Sequence, residues 1–334
     1  MSLVLIVALL LVCASIFVNG WTDAPNAIAT VVSTRVLRPR TAVVMATIFN
    51  LIGIVAFGSA VASTIANLVN VGTGNDPLIA ICAAQLSIVI WSVSAWKFGI
   101  PTSESHALIA GLMGSGMAYN GLSAFNLPQF QKVIWGILIA TLVGFFATYL
   151  FTKLIRVLFR RAKRSKANRF FSGGQIVSAA LMATSHGAQD GQKFMGVFVL
   201  VLLLANNQAI PEQVTIPLWI MLLTALVMGI GTSIGGYRII KTMGIDMVKL
   251  EKYQGFSAEI VASVCMLITT VFSGIPLSTT NTKGAAMMGA GAARKFSDVN
   301  WSVAREMVIA WVLTFPVCIG LGYVMTKLFI VLFG

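Results

Sequence analysis

The sequence predicts an all-α polytopic membrane protein with about ten membrane-spanning elements plus broken or re-entrant helices, arranged as two inverted repeats. First, 57% of the 334 residues are hydrophobic and only 10% are charged, against about 25% charged in a soluble domain. Second, its apolar runs reach the roughly 20 residues that a helix needs to cross a bilayer, and in lipid only helices satisfy backbone groups over such runs. Third, two kinds of motif recur in the same order in both halves.

The basic residues predict the orientation and the domain boundaries. Eight of them lie in the stretch 153–169, which contains no acid. Because basic loops stay on the cytoplasmic side, we expect a first transmembrane repeat at 1–152, a basic cytoplasmic linker at 153–169 and a second repeat at 170–334. We favour this interpretation over a nucleic-acid-binding patch. Contact of the basic residues with anionic lipid headgroups remains an alternative. The expected location is the plasma membrane of a prokaryote.

The first recurring motif places one acid in each half. Asp23 follows a charge-free apolar run, and Asp190 lies 167 residues later, in the segment 185–193. A charged side chain at membrane depth costs roughly 2.5–3.5 kcal/mol on insertion scales, so it is rarely left there without a partner or a task. We expect a break or re-entrant bend near Gly20 to Pro25, and a matching interruption from His186 to Lys193.

The second recurring motif is Gly-Ile-Pro-x-Ser, at 99–103 and again at 274–278. Gly ends one helix and Pro suits the first turn of the next, whose free N–H groups and dipole attract anions. A structural alternative is a kink in which small hydroxyl residues pack between helices. The residues expected to bind a tetrahedral oxyanion are Ser103, Ser105, Ser278, Thr279, Thr280 and Asn281.

Acids beside an anion site would repel the anion unless cations lie between them. The expected cation-coupling residues are Asp23, Asn26, Asp190 and Glu259, whose oxygens suit a small hard cation; Asp23 and Asp190 would be the metal ligands if the cation is Na⁺. Glu259 has the alternative of being a helix-end residue near the cytoplasmic face. Five further residues are candidate proton or charge partners: His106, His186, Glu104, Lys193 and Lys283. Lys283 is expected to pair with Glu104 or draw in anions, and Lys193 to balance Asp190.

The residues that carry these motifs resemble the inorganic phosphate transporter (PiT) family. The resemblance rests on Asp23-Ala-Pro-Asn-Ala-Ile-Ala-Thr-Val-Val-Ser-Thr-Arg35, the segment from Ser185 to Gly196, Gly255-Phe-Ser-Ala-Glu259 and the two Gly-Ile-Pro-x-Ser openings. It implies a symporter of inorganic phosphate driven by sodium or protons, with both aspartate motifs near the substrate and cation sites. The sequence departs from the family pattern at Thr22, Glu104 and Asn281, and Glu104 would favour a protonated or metal-complexed phosphate.

The sequence therefore predicts an importer of inorganic phosphate together with Na⁺ or H⁺, with no cofactor besides the co-transported cation. A sulfate or related oxyanion permease remains the alternative within transport, and a non-transporting membrane anion sensor the alternative of another class. An enzyme is disfavoured because no nucleophile–base pair and no His/Cys metal cluster is apparent. The lipid bilayer and phosphate are the expected partners, and a homodimer is left open.

Overall fold

The computed structural model describes residues 3–23, 25–70, 75–234 and 236–333, and within these ranges the chain is helical, with no named strand. The helices of the first half are α1 Leu3–Thr22, α2 Pro25–Ser33, α3 Pro39–Ala56, α4 Ala60–Ala66, α5 Asn75–Phe98, α6 Glu104–Asn120, α7 Leu127–Leu138 and α8 Gly144–Leu158. Those of the second half are α9 Arg164–Ala205, α10 Leu218–Ile234, α11 Tyr237–Lys241, α12 Lys252–Ile268, α13 Thr279–Arg294 and α14 Trp301–Phe333.

Seven helices of the described ranges are long and apolar enough to cross a membrane, or eight if the bent pair α10 and α11 is one span. A π-helical turn joins α7 to α8, so that Leu127–Leu158 is one element. The short helices α4, α6 and α13 add buried elements inside the bundle. The all-α polytopic membrane class is therefore confirmed. Helix α9 is central, because 83% of its membrane-spanning segment is buried inside the protein. The corresponding share for Leu127–Leu158, which faces outward, is 28%.

One expected feature of the helices was wrong. The expected interruption from His186 to Lys193 does not exist, because α9 runs unbroken from Arg164 to Ala205. The basic stretch 153–169 comprises the end of α8, the residues 159–163 and the start of α9, and its role as a cytoplasmic linker stays a prediction. Helices α1 and α2 together form one candidate span, Leu3–Ser33, and the expected break near Gly20 to Pro25 includes residue 24, which lies outside the described residues.

The two halves exchange helix contacts reciprocally. Helix α1 packs on α10 and α3 packs on α9; likewise α6 packs on α14 and α13 on α8. Glycines make the first two crossings close. A Cβ added at Gly20 would overlap the Met228 backbone, and one added at Gly187, its counterpart 167 residues later, would overlap the Asn50 backbone. In membranes such small residues let helix backbones approach each other, because packing drives helix association there.

We expect Gly187→Val to destabilise the protein strongly, because the new side chain would collide with the α3 backbone at Asn50. Overpacking costs about 1–3 kcal/mol where side chains can yield, and more where backbone must move. The matched control is Gly173→Val on the same helix, where an added Cβ meets nothing within 4 Å. The thermal unfolding midpoint in detergent should fall for Gly187→Val only; equal midpoints for the two variants would contradict the close crossing.

Candidate functional site

The two Gly-Ile-Pro-x-Ser motifs form equivalent helix openings. Gly99 and Gly274 adopt left-handed φ values of 71° and 59°, which glycine tolerates without a steric penalty. Ser103 then caps α6 by accepting a hydrogen bond from the His106 N–H at 3.1 Å. Ser278 caps α13 in the same way, accepting from the Asn281 N–H at 3.1 Å and donating to Asn281 Oδ1 at 2.9 Å. Both openings are buried.

The two openings meet each other inside the bundle. From α13, Thr280 Oγ1 lies 3.1 Å from the Thr102 carbonyl oxygen. From α6, Ser105 Oγ donates to the Leu277 carbonyl at 3.5 Å. The two contacts are equivalent, because Thr280 lies 175 residues after Ser105 and Leu277 lies 175 residues after Thr102. The hydroxyl residues expected to bind an oxyanion therefore lie together, at the contact between the halves.

Asp23 lies at the end of α1, against the α13 opening. Its carboxylate accepts hydrogen bonds from Asn26 Nδ2 and from Thr280 Oγ1, and Thr279 Oγ1 lies 3.3 Å from its Oδ2. Asn26 Nδ2 is also 2.8 Å from Thr280 Oγ1. The side chain of Asp23 is buried, so these donors replace the water that it would bind outside the protein.

Asp190 lies on α9, at the other side of Thr279. Its Oδ1 is 2.6 Å from Lys193 Nζ, which is the pairing considered from the sequence. Its Oδ2 is 3.2 Å from Thr279 Oγ1 and 3.2 Å from Asn19 Nδ2. Thr279 is thus within hydrogen-bonding distance of both aspartates. Asn19 was missed by the sequence reasoning, although an amide one turn before Asp23 in an apolar helix was a usable signal.

Three side chains lie close enough together to hold a metal ion. One ligand atom each from Asp23, His186 and Asp190 lies within 4.8 Å of the others. His186 Nε2 is 3.3 Å from Asp190 Oδ2, and its Nδ1 is 3.2 Å from Asn50 Oδ1. The other histidine, His106, packs instead on the Phe315 ring, with the centroids 4.9 Å apart. Carboxylate, amide and hydroxyl oxygens nearby suit a hard cation such as Na⁺.

Glu259 and Lys283 form a separate buried cluster. Lys283 Nζ is 3.7 Å from Glu259 Oε1 and donates to Thr30 Oγ1 at 3.1 Å. Glu259 also accepts from Thr30 and from Ser178. The alternative that Glu259 is a helix-end residue is wrong, because it lies two turns inside α12 and is fully buried. Thr30 and Ser178 gave no signal in the sequence, where both are small polar residues within apolar helices.

Glu104 opens α6 and is buried. It accepts a hydrogen bond from Thr22 Oγ1, and its second oxygen, Oε2, has no hydrogen-bond partner among the described residues. The pairing of Lys283 with Glu104 is wrong, since Lys283 pairs with Glu259. Glu104 therefore has a carboxylate oxygen available beside the two helix openings.

Comparison with known proteins gives consistent matches. A model of the phosphate transporter family matches residues 19–322. A Bacillus subtilis (strain 168) protein described as a probable low-affinity inorganic phosphate transporter is 34% identical over 325 residues, covering 96% of this chain and 97% of that protein. A Rhizobium meliloti (strain 1021) protein with the same description is 40% identical over 305 residues, covering 90% and 89%. A solved structure described as the sodium-dependent phosphate transporter has a TM-score of 0.91 over the whole of both chains; at 22% identity it establishes the fold alone.

The buried pair predicts a clear stability pattern. Glu259→Gln leaves the Lys283 ammonium without its counter-charge, and removing one partner of a buried pair costs about 3–5 kcal/mol. We expect the unfolding midpoint in detergent to fall markedly for Glu259→Gln, and Lys283→Met added to it to restore part of the loss.

The control is the pair Arg294 and Glu251, 2.7 Å apart, in which Glu251 is 51% exposed. Exposed pairs contribute about 0–1 kcal/mol, so Glu251→Gln should barely move the midpoint. Arg294 also hydrogen-bonds Asp298 and thereby lowers the pKa of that carboxyl group, so it keeps a partner. A Glu259→Gln midpoint no lower than that of Glu251→Gln would contradict the buried pair.

Proposed function

The chain belongs to the phosphate transporter family, and from this premise we propose that it is a secondary-active symporter that imports inorganic phosphate together with Na⁺ or H⁺. One observation carries the proposal: two hydroxyl-rich helix openings meet beside two buried aspartates, with Thr279 within 3.3 Å of both carboxylates. Secondary transporters characteristically bind substrate and coupling ion together, where interrupted helices of two repeats meet near the middle of the membrane.

The proposed phosphate site consists of the openings of α6 and α13. Helix N-termini bind anions through their backbone N–H groups and dipole. The hydroxyls of Ser105, Thr279 and Thr280 now donate to carbonyl and carboxylate groups of the protein. Phosphate would take these donors over on binding. Ser103, Ser278 and Asn281 would shape the openings by capping the helices.

The proposed coupling site lies at Asp23, Asn26 and Asp190, with Glu259 at a second acidic position. Moving a net negative charge inward against an inside-negative potential costs about 2.3 kcal/mol per 100 mV. An imported anion must therefore be accompanied by at least enough cations to cancel its charge. The donor oxygens of Asp23 and Asp190 are compatible with Na⁺. The structurally similar protein is described as sodium-dependent, which supports Na⁺ as the first cation to test.

The choice of phosphate over sulfate is proposed to depend on Glu104. At neutral pH phosphate retains a P–OH group, whereas sulfate has none. A carboxylate oxygen without a hydrogen-bond partner, such as Glu104 Oε2, can accept that proton. Sites built to hydrogen-bond a substrate OH reject analogues that lack it, because buried polar groups are then left unpaired.

We also propose the arrangement in the membrane. The reciprocal contacts of α1 with α10 and α3 with α9 support two inverted repeats at 1–152 and 170–334. The basic stretch 153–169 would be cytoplasmic by the positive-inside rule, in the plasma membrane of a prokaryote. Imported phosphate would then leave on the side of this stretch.

Uptake of labelled phosphate by proteoliposomes tests the function. The Na⁺ gradient and the proton gradient are imposed in separate experiments. We expect phosphate to accumulate when the gradient of the coupling cation points inward, and not when both gradients are absent. Asp23→Asn and Asp190→Asn should each abolish accumulation, because each removes a charge at the proposed coupling site. Both variants should still insert and elute as folded protein. Phosphate binding without counterflow in the wild type would favour the anion sensor, and near-normal uptake by both variants would contradict the coupling site.

Glu104→Gln tests the selectivity argument. The amide keeps the shape of the side chain but can place an NH₂ donor where Glu104 offers an oxygen that accepts a hydrogen bond from P–OH. We expect sulfate to compete poorly with phosphate in the wild type and roughly ten-fold better, relative to phosphate, in the variant, which corresponds to about 1.4 kcal/mol. If the variant leaves sulfate competition and the dependence of uptake on pH and divalent metal unchanged, Glu104 has no role in substrate choice.

A further inference from the structure

The site contains two matched clusters that differ at one residue. Asp23 and Asp190 are counterparts 167 residues apart, and so are Asn26 and Lys193. In each half the residue three positions after the aspartate donates to its carboxylate. An amide therefore occupies in the first half the position that an ammonium occupies in the second.

Lys193 lies at the centre of a shell of oxygen atoms. Its Nζ is 2.6 Å from Asp190 Oδ1, 2.5 Å from Ser105 Oγ and 2.5 Å from the Leu277 carbonyl. A carboxylate, a hydroxyl and a backbone carbonyl are the ligand types that hard metal cations choose. Lys193 is fully buried, so the ammonium has exchanged its water for these three oxygens.

The same three oxygen types meet at Asp23. Thr280 Oγ1 contacts Asp23 Oδ1 and lies 3.1 Å from the Thr102 carbonyl. Thr280 and Thr102 are the counterparts of Ser105 and Leu277, each shifted by 175 residues. Here the neighbouring side chain is the neutral amide of Asn26, which supplies no positive charge. Among the described residues, no cationic side chain forms an ion pair with Asp23 as Lys193 does with Asp190.

We propose that the Lys193 ammonium is a built-in counter-cation that permanently fills one of two matched cation sites. Transport then needs one coupling cation fewer than two open sites would require, and the exchangeable cation binds at the Asp23 cluster. This inference rests on the proposed symport. Lys193 is not the phosphate ligand, because an ammonium has three N–H donors and all three are used by Asp190, Ser105 and Leu277.

The experiment exchanges the two residues. Lys193→Asn gives the second cluster the side chain of the first, and Asn26→Lys does the reverse. Phosphate uptake by proteoliposomes is measured while the external concentration of the driving cation is varied. If Na⁺ drives wild-type uptake, Na⁺ is replaced stepwise by N-methylglucamine; if H⁺ drives it, the external pH is varied. We expect one additional cation per phosphate for Lys193→Asn and one fewer for Asn26→Lys, seen in the Hill slope and in the charge moved per phosphate.

Two outcomes of the exchange would overturn the inference. One is an unchanged cation number in a Lys193→Asn variant that still transports. The other is a folded Lys193→Asn variant that binds no phosphate at any cation concentration, since a counter-cation must be replaceable by a free cation. A wild type that takes up no phosphate would instead refute the proposed symport and not this assignment alone.

A second pair of variants decides the case in which Lys193→Asn does not fold. Thr280→Ala and Ser105→Ala each remove the hydroxyl from one cluster. At saturating phosphate, we expect Thr280→Ala to weaken the apparent cation affinity about ten-fold, because one ligand of the exchangeable cation is lost. Both hydroxyls also belong to the proposed phosphate site, so a loss of phosphate contacts affects the two variants alike. Ser105→Ala should therefore weaken the apparent cation affinity clearly less than Thr280→Ala does, because the cation beside Ser105 is the tethered ammonium of Lys193. Equal shifts for the two variants would overturn the assignment.

Discussion

The constraint on which this structure depends is that buried charges must find partners inside the membrane. Desolvating a carboxylate costs several kcal/mol even after relaxation, and the interior of this bundle holds Asp23, Asp190, Glu104 and Glu259. Their partners come from helices far apart in sequence. Asp190 alone is contacted by side chains of α1, α9 and α13. The electrostatic demand therefore helps to fix which helices lie together, as well as stabilising each acid.

These contacts require helix backbones that approach closely. The hydroxyl side chains of Thr279 and Thr280 are short, so they reach Asp190 and Asp23 only where the α13 opening lies against α9 and against Asp23 at the end of α1. In lipid there is no hydrophobic drive to bring helices together, and glycines at the crossings supply the fit. Gly20 and Gly187 lie on the helices that carry the aspartates or lead into them. Close packing and charge pairing thus depend on each other.

The sequence predicted which residues of the two halves correspond better than it predicted where the helices are interrupted. The offsets between Asp23 and Asp190 and between the two Ser caps correspond to equivalent contacts, because a duplicated motif repeats its chemistry. The predicted interruption of α9 failed for an identifiable reason. The counterpart of Pro25, where α2 begins, is Gln192, and proline lacks the N–H that a continuous helix needs whereas glutamine keeps it. Gly187 alone costs a helix only about 1 kcal/mol, less than leaving backbone groups unpaired in lipid.

The partner of Lys283 was not predictable, since Glu259 and Glu104 are both acids of similar reach and only the helix positions separate them.

The proposed coupling between anion and cation would follow from the number of hydrogen-bond donors at the site. A hydroxyl has one proton to donate, and Thr279 lies within reach of both aspartates. In the proposed transport cycle, a phosphate that accepts this proton takes a donor away from the carboxylates. Asp190 retains the Lys193 ammonium, whereas Asp23 retains only neutral donors, the Asn26 amide and the Thr280 hydroxyl. In this proposal, Asp23 is therefore the carboxylate for which a cation from solution must replace the lost Thr279 hydrogen bond. Phosphate binding and cation binding would then favour each other without direct contact between the two ions.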